Sequence, residues 1–202
     1  MFEKQARTQY PINSLLARRW SGRAYDPARE LAHEQIMSLL EAARWAPSCF
    51  GDEPWRFIVC NRATAEPAWQ NVLECLTEKN RAWAQNAPLL MVISANTLFR
   101  SNDKPNKWGR YDTGAAAMSI CVQATDMGLM VHQMGGFDAD KTRTVFAIPD
   151  QFTPVAMMAV GYQLPEDKIP EDMKEREYAE RKRSPLADSF FDGEWGKPIS
   201  GI

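Results

Sequence analysis

Apolar positions recur along the chain with periods that switch between helix and strand. In HEQIMSLLEAARWAPS, Ile36, Leu39, Leu40 and Ala43 fall at helical spacing, and Pro47 follows the last turn. This predicts an amphipathic helix opened by His33. After the turn-rich SCFGDE, the aromatic and β-branched run Trp55 to Cys60 predicts a strand. From Thr64 to about Gln85 the pattern is helical again, with Trp69, Val72, Leu73 and Leu76 on one face. Pro88 then leads into LLMVISA, a continuous apolar run expected as a buried central strand. The polar stretch NTLFRSNDKPNKWGRY reads as a surface loop and candidate lid. YDTGAAAMSICVQATDM, about Tyr111 to Met127, is apolar nearly all round and rich in small residues, as a central or interface helix would be. A short helix near Ala139 to Phe146 and a third strand, VAMMAVGY, complete the pattern. Helices and strands in this order predict an α+β fold of three layers, α/β/α.

The tail from about Leu164 breaks the pattern. It is charged and proline-rich, yet carries Phe190, Phe191 and Trp195, so we expect an arm that docks on a second subunit rather than disorder. The 202 residues, 45% hydrophobic, suit a single domain, 1–202, with that arm at about 164–202.

Charge and composition narrow the chemistry. Lys+Arg 24 against Asp+Glu 26 nearly cancel, so no strong field favours nucleic acid or an anionic membrane, and a small-molecule ligand is expected. No run is long enough to span a membrane and MFEKQARTQY lacks a secretory apolar stretch, so a cytoplasmic location is expected. Cys49, Cys60, Cys75 and Cys121 form no C-x-x-C pair and read as reduced, packed thiols. The two histidines, His33 and His132, lack the settings that zinc or serine-hydrolase chemistry requires, and no metal site is expected. If the chain is an enzyme, a cofactor supplies the reactivity.

Four segments could hold such a cofactor. RRWSGRAYD clusters Arg18, Arg19 and Arg23 with Ser21, a candidate anion cradle. APSCFGDEPWRFIV places Pro47, Ser48, Cys49 and Gly51 in a rigid loop able to line a planar ligand. In QMGGF, Gln133, Met134, Gly135 and Gly136 would let main chain approach a flat ring. RKRSP alternates Arg181 and Arg183 so that both can face one phosphate in extended chain. Each segment alone is equally explained by a solvated turn or a structural loop.

In order, RRWSGRAYD, AARWAPSCFGDEPWRFIV, NRAWAQNAPLLMVI, DMGLMVHQMGGF with VAMMAVGY, and RKRSPL resemble the nitroreductase family over almost the whole chain. The resemblance implies a mixed central sheet flanked by helices, and a homodimer with C-terminal arms exchanged and FMN at the subunit interface. It implies that Arg19 and Ser21, within the segment that includes Trp20, hold the phosphate, and that Arg23 faces the flavin pyrimidine edge. Asn80 would bond the ring or ribityl chain, and Pro47, Ser48, Cys49 and Gly51 would come from the other subunit. Gly135 and Gly136 would face flavin N5, and Arg181 and Arg183 would close on the phosphate. Gly51, Glu53, Trp20 and Gly135 depart from residues common among relatives, and Trp20, Phe50, Trp83 and Trp108 could wall an unusual acceptor pocket. The activity implied is hydride transfer from NADPH or NADH through FMN to a nitroaromatic or quinone. Its alternatives are an FMN-dependent dehydrogenase or dehalogenase on a specific metabolite, and a non-catalytic FMN-binding or sensing module.

Overall fold

The computed structural model describes residues 3–201. Asn13 accepts the Leu15 N–H at 2.9 Å and caps a short first helix, α1 (Ser14–Arg18). The expected stripe then forms α2 (His33–Arg44), with Ile36, Leu39 and Ala43 buried. The remaining elements are β1 (Trp55–Asn61), α3 (Glu66–Cys75), α4 (Glu78–Ala84), β2 (Leu89–Asn96), α5 (Gly109–Asp126), β3 (Met130–Met134), α6 (Ala139–Val145), β4 (Phe152–Gly161) and α7 (Glu171–Tyr178).

The α+β, three-layer class is as expected. Along β2, Leu90 and Val92 join Trp69, Val72 and Leu73 of α3 and Trp83 of α4 in one core. Leu89, Met91 and Ile93 point the other way, to Leu39 of α2 and Ile120 of α5. All eight residues of β2 are buried, which is why this strand reads as an unbroken apolar run. β4 alternates in the same sense, Met157 and Ala159 against Met158 and Val160.

Two details differ from expectation. The helix expected from Thr64 to Gln85 is two helices, because Leu76 is extended (φ −72°, ψ 148°) and bridges Phe137. The chain therefore folds back and enters β2 beside the point where it left β1, with Asn61 paired to Leu89. The strand order is β1-β2-β4-β3 and each pairing is antiparallel, so the sheet has no parallel pair among the described residues, where a mixed sheet is expected. Pro154, which cannot donate to the ladder, sits opposite Ser94 at the one register shift between β2 and β4.

The first half of the tail packs on its own chain: Leu164 N–H donates to the Ala24 carbonyl at 2.8 Å, Ile169 is buried, and α7 sets Met173 against the core. Beyond Pro185, Phe190 and Trp195 are exposed, and the Trp195 ring lies 5.2 Å from that of Phe191.

Candidate functional site

Arg19 ends α1, donating its N–H to the Leu15 carbonyl at 2.9 Å, and its φ and ψ of −59° and 126° turn the chain into an extended run. That run lies beside β3, the edge strand. His132 of β3 contacts the Gly22 carbonyl at 3.0 Å through Nδ1, which donates because a carbonyl can only accept. The imidazole packs 4.5 Å from the Trp83 ring. Burial holds its pKa down to about 4, with the charges of Arg23 and Arg19 acting in the same direction. His132 is thus a neutral strut.

The C-terminal arginines reach the same place. Arg181 donates to the carbonyls of Lys4 at 2.7 Å and Ala17 at 2.6 Å, which fixes its guanidinium beside α1. Burial lowers its pKa, and the neighbouring charges of Arg19 and Arg183 lower it further. Among the described residues no carboxylate pairs with Arg19, Arg181 or Arg183. Guanidinium groups gathered without an acid suit a multiply charged anion. Ser21, two residues from Arg19, is exposed.

Arg23 lies over the Trp83 ring, 5.9 Å from its centroid, and lines a cleft of about 130 Å³ with Lys79, Trp83, Asp172 and Glu177. On the same helix, Asn80 Nδ2 donates to the Gly136 carbonyl at 3.1 Å, and the Thr77 N–H donates to that carbonyl at 3.0 Å. A Cβ on Gly136 would stand 2.8 Å from Asn80 Nδ2 and 3.0 Å from Thr77 Oγ1, so a side chain there would force these groups to shift. Gly135 is exposed with open space about its Cα. Gln133 is exposed and donates to Cys121 Sγ at 3.3 Å. Met134 is 2% exposed within the core, so only its main chain is available to a ligand.

The Pro47 to Gly51 loop stands apart from these groups. Ser48 Oγ accepts the Glu53 N–H at 3.0 Å, and the Cys49 N–H donates to buried Asp112 at 3.0 Å. Phe50, Gly51 and Glu53 all have positive φ, 55°, 64° and 49°, a tight coil that leaves Phe50 95% exposed. Pro47, Ser48 and Gly51 line one cleft with Arg44 and Glu53, whereas Arg19 lines another with Trp20 and Met130. One chain does not unite them. Nor does it unite the aromatic wall: Trp83 is 3% exposed in the core, Trp20 packs against the same core, and Phe50 and Trp108 face outward.

Two residues near Arg23 escape a reading of the sequence. Lys79 has no signal beyond its place one residue before Asn80. Glu177 sits in a run of charges, where nothing marks it as the one that is fully buried. All four cysteines are free. Among the described residues no helix is long and apolar enough to cross a membrane, and no group of three or more His, Cys, Asp or Glu is placed to hold a metal.

Comparison with known proteins adds a family to this geometry. The sequence model of the nitroreductase family matches residues 16–162. This chain belongs to the nitroreductase family. A solved structure described as an oxidoreductase containing FMN is 34% identical and superposes with a TM-score of 0.86, covering 96% of this chain and 98% of its own. A 15.4 kDa protein of Mycolicibacterium smegmatis is 29% identical over 71% of this chain and 99% of its own length. A candidate NAD(P)H nitroreductase of Haemophilus influenzae is 22% identical over 76% of this chain and 71% of its own.

Proposed function

We propose that this chain is an FMN-dependent oxidoreductase that takes hydride from NAD(P)H and delivers it to a small oxidised acceptor such as a nitroaromatic or quinone. The observation that carries this reading is the gathering of Arg19, Arg181 and Arg183 without a paired carboxylate among the described residues. The FMN-containing structure and the Haemophilus influenzae relative support the choice of cofactor and donor.

The residues present fit the cofactor. Arg19, Arg181 and Arg183 supply the cations that a phosphate needs, and exposed Ser21 supplies a hydroxyl donor. Arg23 and Lys79 place cations in a cleft that they share with Asp172 and Glu177, where a cation would stabilise the negative charge a flavin gains on reduction. Gly135 and the anchored Gly136 offer main chain to a flat ring. When bound, FMN supplies the hydride chemistry, and no side-chain nucleophile is required. The Pro47 to Gly51 loop of a second copy completes the site, which is why one chain leaves it apart from the arginines.

The test is an anaerobic absorbance spectrum of protein reconstituted with FMN, before and after NADPH and then NADH. Loss of the flavin's visible band with either donor is expected. Flavin that binds and resists both donors would overturn the donor, and R181A should weaken FMN binding about tenfold to a hundredfold by removing a charge-assisted contact.

A further inference from the structure

Helix α7 lies outside the family match at residues 16–162, yet its last turn reaches the segment that carries Arg23. Glu177 is fully buried there. Its Oε1 accepts the main-chain N–H of Arg23 at 2.8 Å. From the opposite side, His132 Nδ1 donates to the carbonyl of Gly22. Gly22 fits between them only because it has no side chain: a Cβ would stand 2.2 Å from Met130 Sδ and 3.1 Å from Glu177 Oε2. Residues 22–24 are therefore gripped by β3 on one side and α7 on the other. Lys4 holds the helix end in turn, donating from Nζ to the Glu177 carbonyl at 2.6 Å.

A buried carboxylate is costly to keep. Among the described residues Oε2 has no hydrogen-bond partner, and burial raises the pKa of the group. An apolar side chain would avoid this cost but would abandon the Arg23 N–H. Asp172, Arg176, Lys79 and Arg23 share the adjoining cleft, so the carboxylate stands among charges of both signs.

We propose that Glu177 is the positioning residue that fixes the backbone of Arg23 and so sets its guanidinium in the cofactor cleft. The inference rests on the proposed role of Arg23 toward FMN, and it concerns a residue that would act through Arg23 without touching the cofactor itself.

The test is the midpoint potential of FMN bound to the wild type, R23A, E177L, E177Q and the R23A/E177L double variant. With Arg23 gone, the preference for reduced over oxidised FMN should fall about tenfold, the size of one lost charge-assisted contact. E177L should lower it as far as R23A, the double variant no further than either, and E177Q should keep the wild-type value because its amide oxygen still accepts the Arg23 N–H. If E177L does not fold, E177D replaces it, keeping the charge while withdrawing the acceptor by one methylene. A potential moved by R23A but not by E177L or E177D would overturn the inference alone. Equal shifts in E177Q and E177L would overturn it too, since charge and not position would then be responsible. A potential unmoved by R23A would instead remove the reading of Arg23 on which the inference stands.

Discussion

His132 shows how one buried side chain links packing to pH. Its folded-state pKa is about 4, against an ordinary 6.5, chiefly through burial. The unfolded chain therefore takes up this proton near pH 6.5, while the folded chain resists until about 4. Its contribution to stability is complete above 6.5 and is lost as pH falls through that window, up to about 3 kcal/mol at the lower end. Glu177 acts in the opposite sense: its raised pKa means that stability is lost as pH rises from the ordinary carboxylate range through the folded value. We expect urea unfolding of the wild type to weaken between pH 7 and pH 4.5, and H132Q to lose about one proton's worth of that slope. An H132Q variant with an unchanged slope would assign the proton uptake to another group. At this scale the sequence discloses residue type but not environment. Neutral His132 is consistent with the absence of a catalytic motif around it, whereas buried Glu177 is indistinguishable from its solvated neighbours until α7 is seen to turn it inward.

At the scale of elements, what could be read depended on whether an element carried an apolar period of its own. The α2 stripe, the β1 run, the wholly apolar β2 and the small-residue α5 do so, and the structure places them within a few residues of expectation. Helix α7, EDMKEREY, does not: Met173 packs inward and the other inward residue is an acid, so no apolar stripe marks it. β3 is five residues on a sheet edge, too short to stand out from the loop GLMVHQMGGFD. The break between α3 and α4 depends on Phe137, 61 residues beyond the Leu76 that it bridges, which no local pattern reports. The polar loop after β2 is ordered for a similarly distant reason. Buried Asp52 accepts the Arg100 N–H at 2.8 Å and Asn106 Nδ2 at 3.1 Å. Removing that acceptor leaves both donors without it, so D52A should cost about 1–3 kcal/mol. The same variant should expose residues 97–108 to protease. A D52A protein with wild-type melting temperature and an uncut loop would show that the loop does not depend on Asp52.

At the scale of the whole molecule, the unfinished site and an unfinished surface point to the same completion. Helix α5 is apolar nearly all round; Ala116, Ile120 and Ala124 enter the core, which leaves Ala115, Met118 and Val122 on the outer side. Beside them, α2 presents Met37 and Ala42, and Trp45 is 76% exposed. This largely apolar face, interrupted by Ser38, Glu41, Ser119 and Gln123, suits a protein partner. Pro47 lines the same groove as Met118, so the loop proposed to close the flavin site from a second copy stands at the edge of this face. Pairing the face with its own copy would carry each loop toward the other chain's cationic cluster, giving two sites that each require both chains. A charge placed at the centre of the face should separate the copies without touching any residue proposed to hold FMN. We therefore expect M118E to sediment as a monomer at micromolar concentration, to keep its helical content, and to lose FMN on gel filtration. A monomeric M118E that retained FMN with wild-type affinity would mean that one chain suffices, and that the loop at Pro47 serves some purpose other than closing the flavin site.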